Sequence, residues 1–268
     1  MNPEEGMAGR LSRSERRALQ RQDAALLASP LKLGDPRPLG AHLRHMVRLL
    51  RDPGSASPCS DAVAHLTALY DRTIPVAAAR GVACSRGCAY CCTQPVSLTA
   101  PEAFFVAAWI RDRPATQAAV VEADRAIRAL PPEAQAQAWL LCPMLEDRAC
   151  SIYPARPLAC HAFVSVKLEA CIAAFVDGEV PQIPMPGEYV SLLYTCRMML
   201  MAALRLAGLS SDSYEMKAAV AAVLGQPDAE RRWLAGEPVL AGANADGPPP
   251  PQYEAAIGQM IAYVAPTL

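Results

Sequence analysis

Four cysteines fall within the nine residues Cys84-Ser85-Arg86-Gly87-Cys88-Ala89-Tyr90-Cys91-Cys92. That density exceeds what core packing calls for. The chemistry that gathers several thiolates at one point is the binding of a metal ion or an iron–sulfur cluster. Cys84, Cys88 and Cys91 have the spacing C-x3-C-x2-C with an aromatic residue, Tyr90, before the third, and a loop of that spacing can wrap three thiolates around one corner of a cubane. Cys92 changes the geometry. Neighbouring side chains point apart on an extended backbone and about 100° apart on a helix, so adjacent thiolates suit a polynuclear cluster, two metal sites, or one ligand beside one core thiol.

Further ligands must come from elsewhere in the chain. Cys142, Cys150 and Cys160 are the natural suppliers, because they lie on an extended, proline-rich segment that includes Pro143, Pro154 and Pro157, where fixed backbone holds side chains in place. The candidate metal set is therefore Cys84, Cys88, Cys91, Cys92, Cys142, Cys150 and Cys160. Gathered thiols with an ordinary pKa of about 8.5 stay largely protonated at neutral pH unless a cation is present. For structural zinc the apparent stabilisation is on the order of 10–16 kcal/mol, enough to dominate local folding. Cys59, Cys171 and Cys196 each sit where a small buried residue would serve. His161, beside Cys160, is expected to support a ligand rather than to be one. Arg156 is expected to offset thiolate charge or to fix its loop. His42, His45 and His65 lie on predicted helices away from any cysteine and are expected at the surface or half-buried. No Gly-rich dinucleotide fingerprint or phosphate loop is present, and no catalytic residue is assigned.

The ordered set C-S-R-G-C-A-Y-C-C, then Pro95-Val96-Ser97-Leu98-Thr99 and Glu102, Cys142-Pro143-Met144-Leu145, Cys150-Ser151-Ile152-Tyr153 and Arg156-Pro157-Leu158-Ala159-Cys160 resembles the YkgJ-type cysteine-cluster family. That family is described as a zinc- or iron-chelating domain and is related to the flagellin lysine N-methylases. The resemblance covers about Cys84 to His161, and it departs from the family pattern at His161, where the family usually has arginine. It implies metal or cluster binding. Relation to the methylases implies a redox or group-transfer role such as protein lysine methylation, although no motif for S-adenosylmethionine accompanies it. Two other readings fit the cysteines: a non-catalytic structural zinc module that organises a partner-binding protein, and a radical S-adenosylmethionine enzyme, whose motif has the same local spacing. Those enzymes place the motif after the first strand of a βα barrel, whereas here helical patterns surround it.

The elements that must position these residues are mostly helices. Apolar periodicity predicts helices over Arg10–Leu27, Leu39–Arg51, Ser60–Thr73, Ala115–Leu130, Gly187–Leu206, Ser213–Leu224 and Tyr253–Val264. Thr99 followed by Pro101 and Glu102 marks a capping box opening a helix to about Arg111 that buries Phe104, Phe105, Ala108 and Trp109. Around Glu146-Asp147-Arg148 the pattern predicts two short extended segments and a turn, followed by an irregular segment carrying Cys160. The fold class is mainly α, a helical domain with a small β or extended element around the cysteine-rich site. The expected organisation is a basic, solvated arm over 1–36, a helical cysteine-cluster domain over 37–225 with its motif core at 84–161, and a loosely structured Pro/Gly-rich linker with a short helix over 226–268.

The 268 residues are enough for one large core without metal-driven folding. With 25 Lys and Arg against 26 Asp and Glu, the net charge of −1 gives no field for gripping a nucleic acid. The arm carries Arg10, Arg13, Arg16, Arg17 and Arg21 without an apolar run, unlike a secretory signal. Arg197 and Arg205 interrupt the best membrane-length stretch. Ten cysteines crowded into a chain of this size point to reduced thiols and a cytoplasmic protein rather than a secreted disulfide scaffold. A protein partner or substrate is the expected counterpart, with no membrane.

Overall fold

The computed structural model describes residues 12–135, 138–177, 182–243 and 247–268. It is mainly α, as the periodicity predicts. In chain order the elements are α1 (Arg13–Leu27), α2 (Pro36–Leu50), α3 (Pro58–Thr73), α4 (Val76–Arg80), β1 (Ser97–Thr99), α5 (Ala100–Trp109), α6 (Pro114–Arg128), α7 (Pro132–Gln135), β2 (Leu145–Glu146), β3 (Ala149–Cys150), α8 (Leu158–Ala162), α9 (Leu168–Phe175), α10 (Gly187–Ala207), β4 (Ser213–Glu215), α11 (Met216–Leu224), α12 (Ala229–Leu234) and α13 (Pro251–Val264).

The longest helix, α10, is the spine. It packs on α2, α3, α8 and α13, and Leu192, Cys196, Met199, Leu200, Ala203 and Leu204 are buried along it. By length and composition α10 could cross a membrane despite Arg197 and Arg205, contrary to the expectation that the two arginines disqualify it. In this fold it is a core helix. Close approach of α13 to α2 uses a glycine: a Cβ on Gly40 would lie 2.6 Å from the Tyr263 ring, so only Gly fits without displacing that ring.

Two strand-to-helix units form the second layer. β1 pairs antiparallel with β4, Leu98 opposite Tyr214, and each strand runs directly into a helix whose first turn is capped by a residue at the strand end. Thr99 and Glu102 form the anticipated capping box of α5. Glu215 caps α11 by accepting from the Ala218 N–H at 2.9 Å, and its other oxygen lies 3.2 Å from the buried Lys217 ammonium. The two helices then pack on each other, α5 also against α3 and α11 also against α6. Burial on α5 falls on Ala103, Phe104, Val106 and Ala107, continuing into the C-capping Ile110, whereas Ala108 and Trp109 are exposed, contrary to expectation. The helix is apolar on nearly every position, so its sequence does not mark which face turns inward.

Several other expectations are corrected. The first helix begins at Arg13 behind a Ser12–Glu15 capping box, with Arg10 outside the described residues. Far from being solvated throughout, α1 lies on α2, and its Asp23, 1% exposed, forms a two-point ion pair with the buried Arg44. The segment predicted as a loose linker contains α12 and buries Trp233, Val239 and Leu240, with the Trp233 ring 5.6 Å from that of Phe104; residues 244–246 lie outside the described set. Four further short helices, α4, α7, α8 and α9, lie where the periodicity predicts none, and of these α8 and α9 carry cysteines.

His45 and His65 are half-buried as expected, but His42 is not, and the three histidines meet in one cluster. His42 is fully buried, its Nδ1 is 2.9 Å from His65 Nε2, and the His45 and His65 rings meet edge-on at 4.5 Å. Burial lowers the His42 pKa to about 4 and the His65 pKa to about 3, so both rings are neutral at pH 7.

Candidate metal centre

The cysteine loop is shaped by one glycine and one short turn. Gly87 adopts φ +89°, and the Cys88 N–H donates to the Ser85 carbonyl at 3.0 Å. This is a tight turn whose third residue needs the left-handed region. It reverses the chain between Cys84 and Cys88. Tyr90–Thr93 then forms a 3₁₀ turn, which leaves the adjacent Cys91 and Cys92 thiols near enough to perturb each other's ionisation.

The second group of cysteines arrives on structure that is pinned to the first. The Cys142 N–H donates to the Cys92 carbonyl at 2.7 Å, joining the two segments backbone to backbone. β2 and β3 form a hairpin whose two loop residues, Asp147 and Arg148, both have positive φ, 49° and 62°. Such a loop matches the strand twist and usually carries Asn-Gly. Buried Met144 and Ile152 anchor the hairpin on either side, and Cys150 ends β3. Ser151 completes the anchor, since both its N–H and its hydroxyl donate to the Met144 carbonyl while its own carbonyl accepts from Arg113.

Cys160 sits on α8 rather than on irregular backbone. Pro157 supplies a non-helical residue in front of the helix, and the orphan Leu158 N–H is taken up by Glu102 Oε1 at 3.0 Å. Glu102 thus serves two helix starts at once, because its other oxygen accepts from the Thr99 N–H and hydroxyl. After α8, Ser165 ties the chain back to the first loop: its carbonyl accepts from the Ala83 N–H at 2.7 Å and its N–H points at Cys84 Sγ at 3.5 Å.

All ten cysteines are free, and eight of them lie within electrostatic reach of one another. Cys92, Cys142, Cys150 and Cys160 form one end, with Cys91 coupled to both Cys150 and Cys160. Cys84 and Cys88 form the other end, linked through Cys91 to Cys171. Every one of the seven cysteines singled out in the sequence therefore belongs to this gathering. So does Cys171, which had been set beside Cys196 as a packing residue. Cys171 is on α9, and α9 lies against the Tyr90–Thr93 turn, a tertiary placement that its neighbours in the sequence do not signal. Cys59 and Cys196, fully buried in the core, have no cysteine partner among the described residues.

The electrostatics follow from burial. It pushes the thiols of Cys84, Cys142, Cys150, Cys160 and Cys171 upward. The neighbouring Cys92 thiol lowers Cys91 to about 7 and is itself raised. Arg156 works against the burial: its guanidinium stacks 3.8 Å over the Tyr153 ring, and its charge lowers the pKa of Cys91, Cys150 and Cys160. It therefore offsets thiolate charge, as its place in the sequence implies. The donor set fits a thiophilic metal in kind and number, since thiols gathered at this density ionise together only around a cation. Among the described residues no three His, Cys, Asp or Glu side chains converge tightly enough to hold an ion as they stand. The thiols are gathered but not closed on a point.

One neighbouring side chain is unsatisfied. His161, 7% exposed, turns its Nδ1 toward Asp71 Oδ1 at 3.5 Å, while its Nε2 is buried without a hydrogen-bond partner.

Comparison with known proteins agrees with this donor chemistry. No curated protein and no solved structure matches the chain. Residues 83–177, which span all eight gathered cysteines, match the family model CxxCxxCC, described as "Putative zinc- or iron-chelating domain". The segment that folds the Gly87 turn, the β2–β3 hairpin, α8 and α9 around these thiols is therefore similar to that family over about a third of the chain.

Proposed function

We propose that the metal bound by this domain is a polynuclear, thiolate-ligated centre, iron–sulfur in type, and that it serves a redox role. The observation behind this reading is the number of gathered thiols. Cys84, Cys88, Cys91, Cys92, Cys142, Cys150, Cys160 and Cys171 make eight, twice what one tetrahedral ion takes. Two adjacent thiols, Cys91 and Cys92, suit several metal ions better than one. When bound, such a centre supplies reversible one-electron chemistry. The chain's own groups would set its ease of reduction: the Ser165 N–H directed at Cys84 and the Arg156 charge near Cys91, Cys150 and Cys160 both stabilise anionic sulfur. Ten unpaired thiols suit a reducing, cytoplasmic setting.

Metal and acid-labile sulfide analysis of anaerobically purified protein tests the proposal. Iron and sulfide in matched, stoichiometric amounts are expected. Stoichiometric zinc without sulfide would replace the redox reading by a structural zinc module, and protein that retains no metal would remove both.

A further inference from the structure

His161 has the features of a ligand rather than of a supporting residue. Its ring is enclosed between helices, with the Tyr70 ring edge-on at 6.3 Å and the Asp71 carboxylate 3.5 Å from Nδ1. A carboxylate at Nδ1 favours the tautomer with the proton there, which leaves a lone pair on Nε2. That lone pair is buried and has no donor, an arrangement that costs about 1–3 kcal/mol unless something else meets it. Cys160 precedes His161 on α8, and Tyr70, edge-on to the His161 ring, packs in turn against Tyr189, which lies within electrostatic reach of Cys84.

We infer that His161 Nε2 is a nitrogen ligand of the metal centre, with Asp71 as the positioning residue that fixes the imidazole through Nδ1. The inference rests on the proposed centre and specifies its ligand set: one imidazole among thiolates. Successive residues on α8 diverge by about 100°, so Cys160 and His161 would meet a centre of several ions at different points. A carboxylate behind a ligating imidazole raises the ring's basicity, and losing such a partner typically weakens metal binding by about 10–100-fold.

X-ray absorption at the edge of whichever metal the anaerobically purified protein carries, zinc or iron, reads the inference directly. The expected wild-type spectrum has a sulfur-dominated first shell plus one nitrogen scatterer with the outer-shell pattern of imidazole. For an iron centre, pulsed electron paramagnetic resonance of the reduced protein should show one nitrogen coupling. The His161→Gln variant should lose that signal. The Asp71→Asn variant, altered at an exposed carboxylate and so expected to fold, should keep it while losing metal to a chelator about 10-fold or more faster. A wild-type shell of sulfur alone would overturn the His161 assignment while leaving the metal centre intact. An imidazole signal that survives His161→Gln would do the same. Wild-type protein without metal would overturn the parent proposal and this inference with it.

Discussion

The Glu102 carboxylate accepts from the Leu158 backbone N–H at 3.0 Å across 56 residues of chain. Because its second oxygen caps α5 through Thr99, one buried side chain fixes the start of the helix after the first cysteine loop and the start of the helix carrying Cys160. Hydrogen bonds to a charged group are worth about 1.5–3 kcal/mol each. Glu102→Ala is expected to lower stability by roughly 3 kcal/mol or more in urea unfolding and to reduce metal retention. Glu102→Gln, which keeps an acceptor on the same skeleton, should lose less of both. Equal stability of Glu102→Ala and wild type would show that the link is incidental.

Gly87 carries the reversal between Cys84 and Cys88 at φ +89°. A Cβ there meets no neighbour within 4 Å, so the cost of Gly87→Ala is backbone strain alone, about 1 kcal/mol or somewhat more. The expected sign of that strain is a relaxed loop that misplaces Cys88. Metal content should fall in Gly87→Ala but not in Gly81→Ala, where φ is −83° and an ordinary residue fits. Unchanged metal content in both would separate the turn from the site.

The β2–β3 loop presents the opposite case. Asp147 and Arg148 occupy left-handed backbone that Asn-Gly adopts with less strain. The double substitution Asp147→Asn with Arg148→Gly should raise stability by about 1 kcal/mol, several degrees in melting temperature, without changing metal content. A drop in stability would mean that Arg148 makes an interaction worth more than the strain it carries.

The histidine cluster should make the fold acid-sensitive independently of any metal. His42 and His65 titrate near 4 and 3 in the folded chain against 6.5 when unfolded, chiefly because they are buried. Between those values the unfolded chain binds more protons, so stability falls as pH drops from about 6.5 towards 4. Arg72 and Arg48 add to the penalty on the charged rings and Asp23 opposes it. Chemical denaturation at pH 7 and pH 5 should show a smaller difference for a His42→Gln, His65→Gln double variant than for wild type. An identical difference would show that the pair stays neutral or finds a compensating anion.

What the sequence disclosed depends on the range over which each feature is encoded. The capping box at Thr99–Glu102 and the Asp147-Arg148 turn are local, and both stand where the residue order places them. The thiol-rich loop is local too, and its cysteines gather as their spacing implies. Features set by tertiary contact were not legible. Trp109 and Phe104 lie on one apolar helix, yet only the packing of α11, α3 and Trp233 decides that Phe104 is buried and Trp109 is not. The meeting of three histidines likewise needs the packing of α2 on α3, and adjacency along the chain gives no sign of it.

Cys171 and Cys196 make the same point within the site. Each follows an apolar helical pattern, and nothing in their neighbouring residues distinguishes them. The fold places them differently: α9 sets Cys171 against the turn of Cys91, within reach of Cys84 and Cys88, whereas α10 sets Cys196 among leucines and methionines, where burial alone pushes its thiol up to about 12. Cys171→Ser should therefore weaken metal retention against a chelator, and Cys88→Ser should abolish it. Cys59→Ser should leave retention unchanged, and so should Cys196→Ala, with a stability cost of about 1 kcal/mol for the lost sulfur packing. Were Cys171→Ser to hold metal as well as Cys196→Ala does, α9 would be a wall of the site and the ligands would come from the other seven thiols.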